Sequence, residues 1–183
     1  MIVRLLLSVA AMLVATTSMA QQPDEARSIA LFREAGKVLQ HPRCLNCHPA
    51  GERPTQTDRM TPHVPFIVRG ADGHGPAGLP CTACHQAANY AESGVPGNPK
   101  WHLAPAALAW AGKSIGEICR QVKDPTRNGG LEMAGLLKHM AEDPLVGWAW
   151  NPGGKRTPAP GTQAGFGETL RAWNRFGAFC PPD

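Results

Sequence analysis

Aromatic side chains are scarce in this chain. Five Trp, five Phe and a single Tyr make up 6% of its 183 residues, too few to fill a large side-chain core unaided. Long apolar runs are missing too: the longest, residues 5–15, falls well short of the roughly twenty residues that a bilayer-spanning helix needs. Strong charge of either sign is absent. The formal net charge is +4, which excludes the clustered basic surface of a nucleic-acid-binding domain. No convincing pair of alternating, strand-like segments appears. What the chain has in quantity is glycine and proline, 20 and 18 residues, which interrupt regular elements. The expected fold class is therefore mainly α with long irregular loops, in a single small domain. Part of its buried apolar volume must come from something other than side chains, and a macrocycle would supply it.

The N-terminus has the pattern of an export signal. Arg4 precedes the apolar run, and Ser18-Met19-Ala20 places small residues at the −3 and −1 positions of a cleavage site. Cleavage after Ala20 would leave residues 21–183 as one domain with no membrane span and a formal charge of +3, from 17 basic and 14 acidic residues. The expected location is the periplasm, where conditions are oxidising.

Six cysteines carry most of the information. Four form two copies of one pattern, Cys44-Leu45-Asn46-Cys47-His48 and Cys81-Thr82-Ala83-Cys84-His85. This is the C-x-x-C-H signature of c-type haem attachment. Two thiols three positions apart can bond the vinyl groups on one porphyrin edge, and the following imidazole reaches the iron as proximal ligand. A thioredoxin-like pair would want a βαβ context, a zinc site usually has shorter spacing between its pairs, and disulfides within C-x-x-C explain neither histidine. Two haem c groups are thus expected, with Cys44, Cys47, Cys81 and Cys84 as thioether sites and His48 and His85 as proximal iron ligands. Only residues 49–80 separate the motifs, so both haems should share one domain and lie close together. Four haem propionates would offset the positive balance, leaving basic residues as their partners and as a docking face.

Cys119 and Cys180 are expected to pair as a disulfide. Ser114-Ile115-Gly116-Glu117 opens as a capping box, and Ile115, Ile118, Cys119 and Val122 share one helix face before Asp124-Pro125 stops it. A second helix from about Thr162 sets Phe166, Leu170, Trp173, Gly177 and Cys180 on one stripe. Further helices are expected over 23–40, with Pro23 in its first turn, after His85 through Ala91, over 104–111, and near 131–142. Residues 49–80 form a loop long enough to wrap a macrocycle. Trp148, Trp150 and Trp173 are expected to pack against haem faces or edges.

Distal iron ligands remain open among His41, His63, His74, His102, His139, Met60, Met133 and Met140. His63, in Met60-Thr61-Pro62-His63, is the first choice because its loop can reach over either haem. His102, just ahead of a helix, is the second. His41 is tethered near the proximal edge, His74 is flanked by glycine, and Met133 and Met140 lie on the apolar stripe of a helix with His139 on its shoulder. Bis-histidine ligation of both haems leads; one His/Met haem and one open site are the alternatives.

The order of the two motifs, with a Pro/Gly-rich loop carrying Thr61-Pro62-His63 between them, resembles the small dihaem electron-transfer subunit of periplasmic nitrate reductases over residues 44–85. That likeness implies two stacked, bis-histidine haems. More of the chain resembles bacterial proteins labelled as a cytochrome subunit of isoquinoline 1-oxidoreductase: His41-Pro42-Arg43-Cys44-Leu45-Asn46-Cys47-His48-Pro49, Trp101-His102-Leu103-Ala104-Pro105, Gly116-Glu117-Ile118-Cys119-Arg120 and Gly147-Trp148-Ala149-Trp150. This resemblance implies a redox partner of the xanthine-oxidase type, a molybdenum hydroxylase. Catalysis would then belong to the partner, since nothing in this chain resembles a molybdopterin, flavin or iron–sulfur site. The competing expectation is a small haem enzyme, such as a peroxidase, with one open haem and His74 or His139 as distal acid–base group.

Overall fold

The computed structural model describes residues 23–183; the expected export signal lies outside them. Among the described residues six α-helices carry the fold: α1 (Glu25–Leu39), α2 (Pro42–Leu45), α3 (Ile115–Lys123), α4 (Met133–Glu142), α5 (Pro144–Gly147) and α6 (Gln163–Arg175). None is long and apolar enough to cross a membrane.

Local signals start these helices. Asp24 caps α1, its carboxylate accepting from the Arg27 amide at 2.9 Å, so Pro23 precedes the cap instead of entering the first turn. Ser114 and Glu117 close the reciprocal capping box of α3, with bonds of 3.0 and 2.8 Å. Thr162 caps α6 by accepting from the Gly165 amide at 3.0 Å.

The apolar faces of α1 and α6 meet through Phe32 and Trp173, ring centroids 4.9 Å apart. Ser28 staples the same contact, donating to the Trp173 carbonyl at 3.1 Å and accepting from the Phe179 amide at 2.9 Å. Two glycines permit close crossings. A Cβ on Gly36 would lie 2.7 Å from Ile115 Cδ1, where α1 meets α3, and one on Gly167 would lie 2.5 Å from the Ala141 Cβ, where α6 meets α4. Cys119, fully buried, is bonded to Cys180 with their Cα atoms 5.6 Å apart, tying α3 to the C-terminal tail.

Several sequence expectations are corrected. Residues 86–91 form no helix: Tyr90 pairs with Val95 in an isolated bridge, and the Asn89 side chain accepts from the Gly97 amide at 3.0 Å. Six residues are too few to nucleate a helix without supporting contacts. Over 104–111 only a single 3₁₀ turn forms, Ala106–Leu108. α6 stops at Arg175, so Gly177 and Cys180 lie beyond it. A small antiparallel ladder does exist, β1 (Thr55–Gln56) with β2 (Thr61–Pro62). Trp173 belongs to the α1–α6 core, its Nε1 donating to the Phe179 carbonyl at 2.9 Å, and Trp150 packs on Phe166 with its Nε1 on the Pro160 carbonyl. Neither tryptophan lines the cavities beside the two C-x-x-C-H motifs.

Candidate cofactor site

The first motif lies on and just after α2. His41 caps that helix, its Nδ1 accepting from the Arg43 amide at 3.2 Å, and Pro42 fills the first helical position. Leu45 points into the core, while Cys44, Cys47 and His48 border a cavity of about 310 Å³. His48 Nδ1 lies 2.8 Å from the Leu108 carbonyl. A carbonyl only accepts, so Nδ1 carries the proton and Nε2 keeps its lone pair for a ligand. The His48 ring stacks on Trp110, centroids 3.4 Å apart and planes 5° from parallel. The segment that brings both partners is clamped in turn, because the Trp110 amide donates to the His48 carbonyl at 3.0 Å and the Ala104 amide to that of Cys47 at 3.2 Å.

The second motif repeats this arrangement on a different scaffold. Cys81–Ala83 form a 3₁₀ turn, from which the His85 amide donates back to the Cys81 carbonyl at 2.9 Å. His85 Nδ1 lies 2.7 Å from the Pro96 carbonyl, and its ring stacks on Trp101 with centroids 4.5 Å apart and planes 11° from parallel. Cys81, Cys84 and His85 border a wider cavity of about 670 Å³, whose far wall is the 49–80 loop. His63 stands across from His85 at 5.9 Å between ring centroids, its Nδ1 held by the Pro65 carbonyl at 3.0 Å. Two imidazole–metal bonds of about 2 Å each, with ring nitrogens about 1 Å from the ring centres, would set two axial ligands roughly 6 Å apart.

The cavities adjoin: Arg43, Cys47, His102 and Trp148 border both. Each volume falls in the range of about 300–1,000 Å³ typical of small-molecule and cofactor sites. No family profile, curated protein or solved structure matches this chain. The site therefore stands on its own geometry.

Electrostatics separate the two halves. Burial pushes the His48 imidazole down to about 3, against the opposing Leu108 hydrogen bond and with help from the charges of His139 and Arg69. Burial likewise pushes the Cys44 thiol up to about 12 and that of Cys47 up to about 11. In the second motif His85 is lowered and Cys81 raised, each chiefly by burial, while Cys84 is exposed. Neutral imidazoles are the ligating form. Arg43 is buried, bound to Asp58 at 2.5 Å, yet its Nε has no partner. Its guanidinium, bordering both cavities, carries the charge that suits an anionic group such as a haem propionate. Among the described residues no three His, Cys, Asp or Glu side chains converge as a metal-ion cage. An iron already held by four porphyrin nitrogens needs only one protein ligand per face.

No local pattern marks Trp101 and Trp110, the two tryptophans that stack on the motif histidines, although Trp101 precedes His102 directly. Trp148 borders both cavities and meets Trp101 edge-on at 4.9 Å. His102 sits on the shared wall, its Nδ1 bonded to the Lys100 carbonyl at 2.5 Å and its ring 5.0 Å from that of His74. His74 is exposed and borders neither cavity. His139 and Met140 both border the cavity of the first motif.

Proposed function

We propose that this chain is an exported electron-transfer protein with two covalently attached c-type haems, one at Cys44, Cys47 and His48 and the other at Cys81, Cys84 and His85. The observation that carries this reading is the twofold recurrence of one arrangement on unrelated local scaffolds. In each copy a turn presents two thiols, a histidine donates Nδ1–H to a carbonyl, its ring lies flat on a tryptophan, and the group opens on a cavity. Structural cysteine pairs need no such orientation of a neighbouring imidazole.

Each thiol would add across one vinyl double bond, sulfur bonding one carbon and the hydrogen going to the next, so attachment consumes no oxidant. Bound haem supplies a one-electron iron couple. The chain's own residues do the rest. His48 and His85 would each hold one iron through Nε2, left free by their Nδ1–carbonyl bonds, and His63 would hold the second iron together with His85. Trp110 and Trp101 fix the ring planes, and the Arg43 guanidinium would supply positive charge near a propionate. Because the cavities share a wall through Cys47 and Trp148, two haems seated in them would be near neighbours able to exchange electrons.

The resemblance to cytochrome subunits of isoquinoline 1-oxidoreductase supports a periplasmic redox partner of the molybdenum-hydroxylase class, which would deliver electrons through this chain toward the respiratory chain. Intact mass of protein purified from cells competent in cytochrome maturation tests the central reading. Two haem additions are expected, and a colourless product with the bare polypeptide's mass would falsify it.

A further inference from the structure

The first iron's distal face is the open question, because His63 and His85 already oppose one another across the second cavity. Apart from His48 and the two motif thiols, three side chains that border the first cavity carry a nitrogen or sulfur donor for iron: His102, His139 and Met140. We infer that His139, presented by α4, is the sixth ligand of the first haem. This rests on the two-haem reading.

Three observations favour His139 over its neighbours. It borders the first cavity alone, whereas His102 is shared with the second and stacks on the exposed ring of His74. It stands on a helix anchored by the buried Leu136 and Met140, a stiffer support than the irregular segment carrying His102. Its Nδ1 lies 3.8 Å from Asp143 Oδ2, too far for a hydrogen bond but enough to put a carboxylate on the Nδ1 side of the ring, the side from which a metal-bound imidazole is oriented. Asp143 is itself held in place, since its Oδ1 accepts from the Leu145 amide at 2.7 Å and Lys100 Nζ lies 3.7 Å from Oδ2. Met140, one residue on, is 7% exposed and part of the core stripe, the ordinary place for a methionine. Both haems would then be bis-histidine, low-spin and closed to small ligands.

The test compares wild type with His139→Ala, His139→Met, His102→Ala and Met140→Leu, all produced with haem attached. Intact mass is read beside paramagnetic spectra and carbon monoxide uptake by the reduced protein. His139→Ala is expected to keep two haems by mass, lose one of two low-spin signals and bind carbon monoxide at about one of its two haems. His139→Met should restore six-coordination with a sulfur-ligated spectrum and a higher potential, which a merely structural role of His139 would not produce; it also serves should the alanine variant fail to fold. His102→Ala and Met140→Leu should retain both low-spin signals. Wild-type spectra in both His139 variants, or the one-open-haem phenotype in His102→Ala or Met140→Leu, would overturn the assignment. So would stoichiometric carbon monoxide binding by wild type, which would favour a haem enzyme using His139 as its distal acid–base group. A wild type lacking haem by mass sinks the two-haem reading itself and is told apart from these outcomes at the first measurement.

Discussion

The two C-x-x-C-H motifs share a chemistry but occupy unlike surroundings. The cavity at His48 is walled largely by helical residues, from Leu39 at the end of α1 and Val122 on α3 to Leu136 and Met140 on α4, all of them core side chains. The cavity at His85 is walled by turns and the 49–80 loop, is about twice as large, and leaves Cys84 exposed. Identical five-residue patterns thus produce one site that belongs to the core and one that lies against the surface. Ligand chemistry is set locally, whereas solvent access and electrostatic shift are set by what the rest of the chain brings over the motif.

Removing the motif thiols should expose this contrast most strongly. Cys44→Ala with Cys47→Ala empties a cavity bordered by the core, and cavity costs of on the order of 5 kcal/mol would leave little folded protein. Cys81→Ala with Cys84→Ala is expected to accumulate as a folded one-haem protein. Thermal unfolding and intact mass of the two double variants check this, and equal folded yields would erase the distinction.

Next in size is the disulfide, which lies on the core side of the molecule. Closing a loop of 61 residues contributes about 4 kcal/mol in the chain-entropy account. Cys119→Ser with Cys180→Ser should lower stability by about that much in urea unfolding, while both low-spin signals persist in the folded fraction. Loss of one haem signal from still-folded protein would show that the bridge shapes a haem site directly.

A smaller contrast concerns the stacking tryptophans. Trp110 is 3% exposed while Trp101 is half-buried, so Trp110→Leu should cost about 3 kcal/mol and Trp101→Leu about 1 kcal/mol. Denaturant midpoints of the pair give the comparison. The reverse order would mean that the loop-walled site is the better packed of the two.

In the haem-free chain, where neither imidazole is held by iron, acid should weaken the first site more than the second. His48 is held near 3 when folded and near 6.5 when unfolded. Between those values the unfolded chain binds the extra proton, so stability is present above about 6.5 and declines as pH falls toward about 3. The decline is at most about 1.4 kcal/mol per pH unit for this group, and His85, lowered in the same direction, adds a share. Unfolding midpoints at pH 7, 5.5 and 4 measure the slope. A flat profile would contradict a buried, neutral His48, and His48→Asn should flatten it more than His85→Asn.

Features written in contiguous residues are legible in the chain alone. The capping box at Ser114 and Glu117, the cap at Thr162, the stripe of Leu136 and Met140, and the inward face of Cys119 each depend on neighbours within a turn or two, where backbone geometry dictates who meets whom. The length of the 49–80 segment marks it as a functional loop, and it walls the larger cavity. The Ala-rich stretch after His85 misleads because its conformation is imposed from outside: the His85–Pro96 and Asn89–Gly97 bonds fold residues 86–95 back on themselves. The helix period puts Trp173 on the correct stripe but suggests the wrong neighbour, because the partner of a buried face is not encoded in its period.

The amino-acid order by itself determined the two C-x-x-C-H motifs, the helical class and the inward-facing cysteine of α3, because a five-residue pattern or a helix period is complete within one short stretch of chain. Only the tertiary structure decided that Trp110 and Trp101 would lie on the motif histidines, that His63 would stand opposite His85, that α4 would carry His139 to the first cavity, and that the two cavities would share a wall. Those are meetings between segments distant in sequence, brought about by burying apolar faces against one another, and no local pattern specifies which face finds which.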